Sequence, residues 1–259
     1  MNRTGLLIAL GLAALVGIVF ALWPELDLRI ARPYYETFVD PNYFALRVSP
    51  LILNLRESAM WLVTLMLVPP VVALVLKLIL PRRPLLISAR AILFLIVTMT
   101  FAPGIAANLV LKDHWGRPRP IDVAQYGGAE HFVPWWDPRG DCPNNCSFIS
   151  GDVSAAAWTF APAALAPAPL RPFAYAAAFA FSAGVGWLRM AMGGHFFTDV
   201  VFAGVVTFLI VWLAHGLIYR WPRTRLSDET LERALERLAM PGYEAIRGLF
   251  AGKRTDQKM

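Results

Sequence analysis

Charge is scarce in this chain. Only 16% of its 259 residues are Asp, Glu, Lys or Arg, where a soluble globular protein carries about 25%. The shortfall is not spread evenly. Gly5–Trp23 and Ala91–Leu111 carry no charge, Met60–Leu80 has only Lys77, Val153–Leu170 and Pro172–Leu188 have none, and Val200–Tyr219 has only His215. Each block is near the roughly 20 residues a helix needs to cross about 30 Å of hydrocarbon. The expected fold is therefore all-α: a polytopic membrane protein with six transmembrane helices in a bundle over residues 1–220. A cytoplasmic tail over residues 221–259 follows. Pro69-Pro70, Pro103-Gly104, Pro162 and Pro167 fall inside the blocks and read as kinks or early helix ends, which neighbouring helices can tolerate.

Other absences narrow the classes further. No internal repeat and no second globular domain is evident. No A-x-A-like cleavage site follows the first block, so it reads as an uncleaved helix and not a signal peptide. The apolar blocks hold almost no polar residues in their depth, which argues against a transport path. Cysteine is limited to Cys142 and Cys146. In an oxidising compartment such a close pair forms a disulfide, with free thiols or metal ligands as the alternatives. A ring over Cys142-Pro-Asn-Asn-Cys146 would stiffen the approach to Ser150.

What is present is basic. The formal net charge of +6 sits in short loops and in the tail, so it speaks of membrane orientation and not of nucleic acid. Arg3, Arg82, Arg83, Arg90, Arg171 and the tail from Arg220 fall on one side if the helices alternate, and that side is cytoplasmic by the positive-inside rule. The other side receives residues 24–59, 112–152 and 189–199. The first of these segments is rich in Tyr34, Tyr35, Phe38, Tyr43 and Phe44, as expected of a chain lying at headgroup level. In the tail, Ser227 reads as an N-cap, Leu231, Ala234, Leu235 and Leu238 as the apolar face of an amphipathic helix, and Pro241-Gly242 as its end. The last residues, Lys253 to Met259, read as unstructured.

All the chemistry-bearing residues are in the outer segments. Lys112 and Arg119 stand seven apart in the run Lys112-Asp-His-Trp-Gly-Arg-Pro-Arg-Pro120, a spacing that suits a helix end turning into a loop. Alone, Lys112 would read as a snorkelling side chain. Ser150-Gly151 opens the fourth block, where free helix N–H groups make an anion site, although Ser-Gly is also an ordinary cap. Arg189 precedes His195 and Asp199, which are four apart and share a face if helical. A carboxylate there fixes the imidazole tautomer and frees the other nitrogen to attack. The bland alternatives are a structural His-Asp bond or a zinc site, and no third ligand stands at a familiar spacing. Fixed cations, a helix start and a His-Asp pair together suit phosphoryl transfer, which is mostly positioning and charge stabilisation.

These fragments, taken together, resemble the type 2 phosphatidic acid phosphatase superfamily. K-x6-R-P is matched by Lys112, Arg119 and Pro120, and R-x5-H-x3-D by Arg189, His195 and Asp199. The middle pattern, P-S-G-H in the family, reads Ile149-Ser150-Gly151-Asp152 here. The resemblance implies His195 as nucleophile, Asp199 as its orienting carboxylate, and Lys112, Arg119, Ser150, Gly151 and Arg189 as phosphate ligands, with no cofactor and no metal. Leu188 and Ile149 are minor departures. Asp152 is the serious one, because the family's His at that place is the general acid. Four possibilities stay open: a protonated Asp152, an acid role for His114 or His131, a leaving group that needs no acid, or a chain that binds phosphate without turnover. The expected function is a metal-independent phosphatase acting on a lipid phosphate in the bilayer, at the periplasmic face of a bacterial inner membrane, through a phospho-histidine. The variant middle motif and the cysteine pair are most like the lipid A phosphatase branch. The alternative is a catalytically impaired phospholipid-binding membrane protein.

Overall fold

The structure is a computed structural model that describes residues 1–35 and 44–255. The described residues are helical, with no strand beyond one bridge between Val123 and Glu130. In chain order the α-helices are α1 (Arg3–Leu22), α2 (Glu25–Ala31), α3 (Pro50–Ile79), α4 (Ala89–Met99), α5 (Lys112–His114), α6 (Gly151–Ala157), α7 (Phe160–Leu165), α8 (Arg171–Ala191), α9 (Phe197–His215) and α10 (Asp228–Thr255). Helix α4 runs into α5 through a π-helical stretch, Thr100–Leu111, and α9 ends in another, Gly216–Arg220.

Among the described residues, four helices are long and apolar enough to cross a membrane: Arg3–Leu22, Pro50–Ile79, Ala89–His114 and Phe197–Arg220. Their outer faces have no protein partner to pack against. Leu7 is 68% exposed and Trp61 65%, which a soluble fold would not leave uncovered in long continuous stripes. The proline expectations divide. Pro69-Pro70 lies within α3 without ending it. Pro103 lies in the π-helical stretch, where the Asn108 side chain donates to the Pro103 carbonyl at 2.6 Å. An inserted side chain of this kind replaces the backbone donor that the widened turn loses.

The fourth block is not one helix. It breaks at Trp158-Thr159 into α6 and α7, and α7 stops at Ala166, whose extended backbone is what a following proline demands. Helix α8 is a single 21-residue helix, less apolar than the four because Ala and Gly dominate it. Those small residues let helices approach closely. A Cβ on Gly186 would stand 2.5 Å from Val200 Cγ1, and the Ser154 hydroxyl meets that of Thr207 at 2.6 Å, both standard devices of helix packing in lipid.

The chain clusters into two compact units. The first holds residues 1–64 and 97–214, the second 65–96 and 215–259. The first unit has a core of Ala107, Phe148, Ile149, Val153, Ala156, Val185 and Ala203, and a second cluster of Ala31, Phe44, Val123, Tyr126 and Phe196. Phe44 and Tyr35 thus pack inward on Tyr126, at 5.6 and 5.0 Å between rings; Phe38 and Tyr43 lie outside the described residues.

In the second unit, Lys77 is buried and donates to Glu232 at 2.8 Å, Glu236 at 2.7 Å and the Arg83 carbonyl at 2.9 Å. Ser227 caps α10 by accepting from Thr230 N. Two tail expectations are corrected. Helix α10 continues through Pro241 to Thr255, past Lys253, where an unstructured end was expected; residues 256–259 lie outside the described set. Pro241 is exposed, so water can satisfy the carbonyl it leaves without a donor. Of the expected apolar face, Leu231 and Leu235 are half-buried and Leu238 is 74% exposed, while Lys77 draws in Glu232 and Glu236 beside them. His215 packs between rings, 5.9 Å from Phe94 and 5.3 Å from Tyr219.

Candidate active site

The expected phosphate ligands belong to the first unit. Lys112 begins α5 at the end of the π-helical stretch, and the chain then turns at Gly116, which has φ +68°. A side chain is rarely tolerated there. Arg119 follows in extended backbone before Pro120. Its Nη2 donates to the Asn145 carbonyl at 2.7 Å. Asn145 lies in the ring that Cys142 and Cys146 close, for the two are disulfide-bonded with Cα atoms 5.8 Å apart. The ring is pinned to α5 as well: Cys146 N donates to the Lys112 carbonyl at 2.9 Å and Asn145 N to Asp113 Oδ1 at 3.2 Å. The disulfide ring therefore organises the Lys112–Arg119 segment.

Ser150 caps α6, its Oγ accepting from Val153 N at 3.4 Å. Gly151 has no room for a side chain, since a Cβ would meet Asn108 Oδ1 at 2.5 Å. Asp152 is enclosed by cations. Its Oδ2 is 2.7 Å from Arg56 Nε and 3.4 Å from Arg189 Nε. Burial pushes its carboxyl up, but the Arg56 hydrogen bond and the charges of Arg189, Arg56 and Lys112 outweigh burial and hold it below the ordinary carboxylate range. This pairing with Arg56 and Arg189 favours the ionised carboxylate over the protonated Asp152.

His195 is fully buried, in the short stretch between α8 and α9. Gly193, at φ +65°, reverses the chain, and Gly194 presses against Arg189, where a Cβ would stand 2.7 Å from Nη2. His195 Nδ1 lies 2.7 Å from the Ser147 carbonyl. A carbonyl only accepts, so Nδ1 carries the proton and Nε2 keeps its lone pair. Burial, then the charges of Arg189, Lys112 and Arg119, push the ring well below the usual pKa of 6.5, against the raising effect of the Ser147 hydrogen bond. Those three cations, from two separate segments, thus act together on one neutral imidazole. His114, by contrast, is exposed, with Nδ1 3.0 Å from the Val110 carbonyl.

The expected His195–Asp199 bond is not what holds the ring. Asp199 comes no nearer to Nδ1 than 4.0 Å. The reason is where the helix starts. Helix α9 begins at Phe197, so His195 precedes it and does not share its face. Asp199, in the first turn, bends back to accept from Phe196 N at 2.8 Å, as carboxylates do at helix N-termini. It also accepts from Ser147 Oγ and Arg117 Nη1, both at 2.5 Å.

Sequence reasoning missed four contributors: Arg56, Arg117, Asp27 and Ser147. Arg117 is fully buried and donates to Asp199, to Thr198 Oγ1 at 2.7 Å, to Asp27 Oδ2 at 2.8 Å and to the Val133 carbonyl at 2.9 Å. Its guanidinium stacks over Phe196 at 4.6 Å. The available signal was the doubled Arg-Pro in Arg117-Pro-Arg119-Pro120; nothing in it says which arginine turns inward. Asp27 and Arg56 stand in residues 24–59, where no local pattern marks them.

Residues 91–225, just over half of the chain, match the PAP2 superfamily. A lipid A 4'-phosphatase of Francisella tularensis subsp. novicida (strain U112) is 42% identical over 132 residues, covering 51% of this chain and 60% of that protein. A lipid A 4'-phosphatase of Rhizobium leguminosarum is 39% identical over 117 residues, covering 45% of this chain and 50% of its own. One of Rhizobium etli (strain ATCC 51251 / DSM 11541 / JCM 21823 / NBRC 15573 / CFN 42) is 36% identical over 116 residues, covering 45% of each. The chain spans about half the length of the curated relatives it matches. No solved structure matches it. The matched segment carries Lys112, Arg119, Ser150, Gly151, Arg189, His195 and Asp199, and the chain belongs to the PAP2 superfamily.

Proposed function

We propose that the chain is a membrane lipid phosphatase working through a phospho-histidine at His195, on a substrate of the lipid A type. The observation that carries this reading is the state of His195: neutral, its Nδ1–H committed to the Ser147 carbonyl, within the influence of Lys112, Arg119 and Arg189. In the first step Nε2 bonds to phosphorus and the P–O bond to the lipid breaks. Lys112, Arg119, Arg189, Ser150 and the Gly151 N–H bind the phosphoryl oxygens, whose charge grows in the transition state. In the second step a water oxygen attacks phosphorus, the P–N bond breaks, and inorganic phosphate leaves.

Asp152 is an ionised clamp in this scheme and not the general acid. Paired with Arg56, it leaves the lipid alkoxide to a guanidinium's charge and a proton from water. The four long apolar helices and the substrate that the relatives' names print both support a lipid substrate. With α6–α7 and α8 added, the first six apolar blocks make a six-helix bundle. The arginine distribution supports cytoplasmic termini and a periplasmic site. The same ion pairs of Asp152 favour a second reading, a phospholipid binder without turnover.

The test is phosphate release from a panel of lipid phosphates in detergent, with and without chelator, for wild type and His195→Ala. The proposal expects release from wild type that survives chelator and vanishes in His195→Ala. Full activity of His195→Ala, or loss on chelation, defeats it; no release by wild type from any member of the panel leaves the binding reading in its place.

A further inference from the structure

We infer that the buried chain Asp27–Arg117–Asp199, acting through Ser147, is a positioning device for His195 that fixes its Nδ1–H tautomer and balances the positive charge that grows on the ring during phosphoryl transfer. The inference rests on the phospho-histidine reading. Three fixings converge on Ser147. Its N–H donates to the Arg117 carbonyl at 2.7 Å, its Oγ donates to Asp199 at 2.5 Å, and its carbonyl accepts from His195 at 2.7 Å. The acceptor that sets the tautomer therefore sits where Arg117 and Asp199 hold it. Arg117 is locked in turn. It reaches Asp199 with Nη1 and Asp27 with Nη2, and Thr198 ties back to Asp27 through N at 3.0 Å and Oγ1 at 2.6 Å. Asp27, Arg117 and Asp199 are each no more than 1% exposed.

The charge count points the same way. Two carboxylates and one guanidinium leave one net negative charge on the side of the ring where Asp199 stands, 4.0 Å from Nδ1. On the phosphate side the charges that act most on the ring are Arg189, Lys112 and Arg119, with Asp152 beside Arg189. When Nε2 bonds to phosphorus the imidazole becomes cationic, and the carboxylate side is what stabilises it. Asp27, like Arg56, lies outside residues 91–225, so the device recruits α2 to a site built mostly from the family segment.

Ser147→Ala, Asp27→Asn and their double variant test this in detergent-purified full chain, alongside wild type and His195→Ala. Each single variant should lower kcat about 10- to 100-fold, the usual effect of losing an outer-shell partner, at unchanged KM and unchanged binding of inorganic phosphate. Removing one negative charge should also move the acid limb of the kcat/KM profile of Asp27→Asn to lower pH. The double variant should lose little more than either single one, since both break one chain. If Asp27→Asn does not fold, Ser147→Ala decides alone, because it removes one hydroxyl and leaves Asp199 its bonds to Arg117 and to Phe196 N. Wild-type kcat in Ser147→Ala, or a loss that tracks thermal stability and KM together, overturns the inference. Full activity in His195→Ala overturns the phospho-histidine reading itself.

Discussion

Asp152 Oδ2 and Arg56 Nε lie 2.7 Å apart although 96 residues separate them in the chain. A carboxylate so placed cannot readily serve as a proton donor, and it partly neutralises the cations that a phosphate needs. Asp152→Asn should therefore reduce kcat by less than about tenfold, where loss of a true general acid costs about 10²- to 10⁴-fold. The same variant should bind inorganic phosphate more tightly, since Arg56 and Arg189 lose their internal anion. Product-inhibition kinetics measure both, and a kcat loss above about 100-fold would restore Asp152 as the acid.

The pH profile follows from His195. Only the neutral ring attacks, and the ring's pKa lies well below 6.5 in the folded protein. The acid limb of kcat/KM should accordingly fall well below pH 6.5. Arg119→Ala, which removes one of the depressing cations, should shift it upward. The sign for stability is also fixed. Below about pH 6.5 the unfolded chain takes up a proton that the folded one refuses, so folding weakens as pH falls. A wild-type acid limb at or above 6.5 contradicts the burial of a neutral nucleophile.

Reducing Cys142–Cys146 should act on substrate binding more than on unfolding. A loop this short restricts the unfolded chain by about 2 kcal/mol. Its local effect is to hold the Asn145 carbonyl under Arg119. Reduction, or Cys142→Ser with Cys146→Ser, should raise KM by about tenfold, the worth of one charge-assisted hydrogen bond. Titration with reductant under turnover conditions measures this, and an unchanged KM would detach the ring from the site.

Gly194→Ala should weaken phosphate binding. The new Cβ would lie 2.7 Å from Arg189 Nη2 and 3.0 Å from Cζ, and the arginine side chain, only 12% exposed, has little room to retreat. A KM increase of about tenfold or more is expected from displacing one bidentate cation. Gly184→Ala, on α8 with Arg189, meets nothing within 4 Å and serves as the control that should stay near wild type.

The long spans and the motif residues were legible in the sequence for different reasons. Unbroken apolar blocks declare α1, α3 and α9 directly, since nothing but a helix crosses lipid with its backbone satisfied. The block Val153–Leu170 misled because composition does not report where a chain breaks, and the break at Trp158-Thr159 comes well before Pro167. Lys112, Arg119, Arg189 and His195 were found from spacing within short segments. Asp27, Arg56 and Ser147 were not, because their partners lie in distant segments and no local pattern marks a charge that the fold will bury. Asp199 shows the finer limit. An i,i+4 rule presumes that both residues are helical, and His195 stands two residues before its helix.

Lys77 has a practical implication for anyone trimming this protein. The ammonium is 2% exposed and its two carboxylate partners, Glu232 and Glu236, come from the far end of the chain. A truncation placed anywhere ahead of Glu232 would strand that cation without a counter-ion, so the tail that looks most dispensable is part of the electrical insulation of the second helix block.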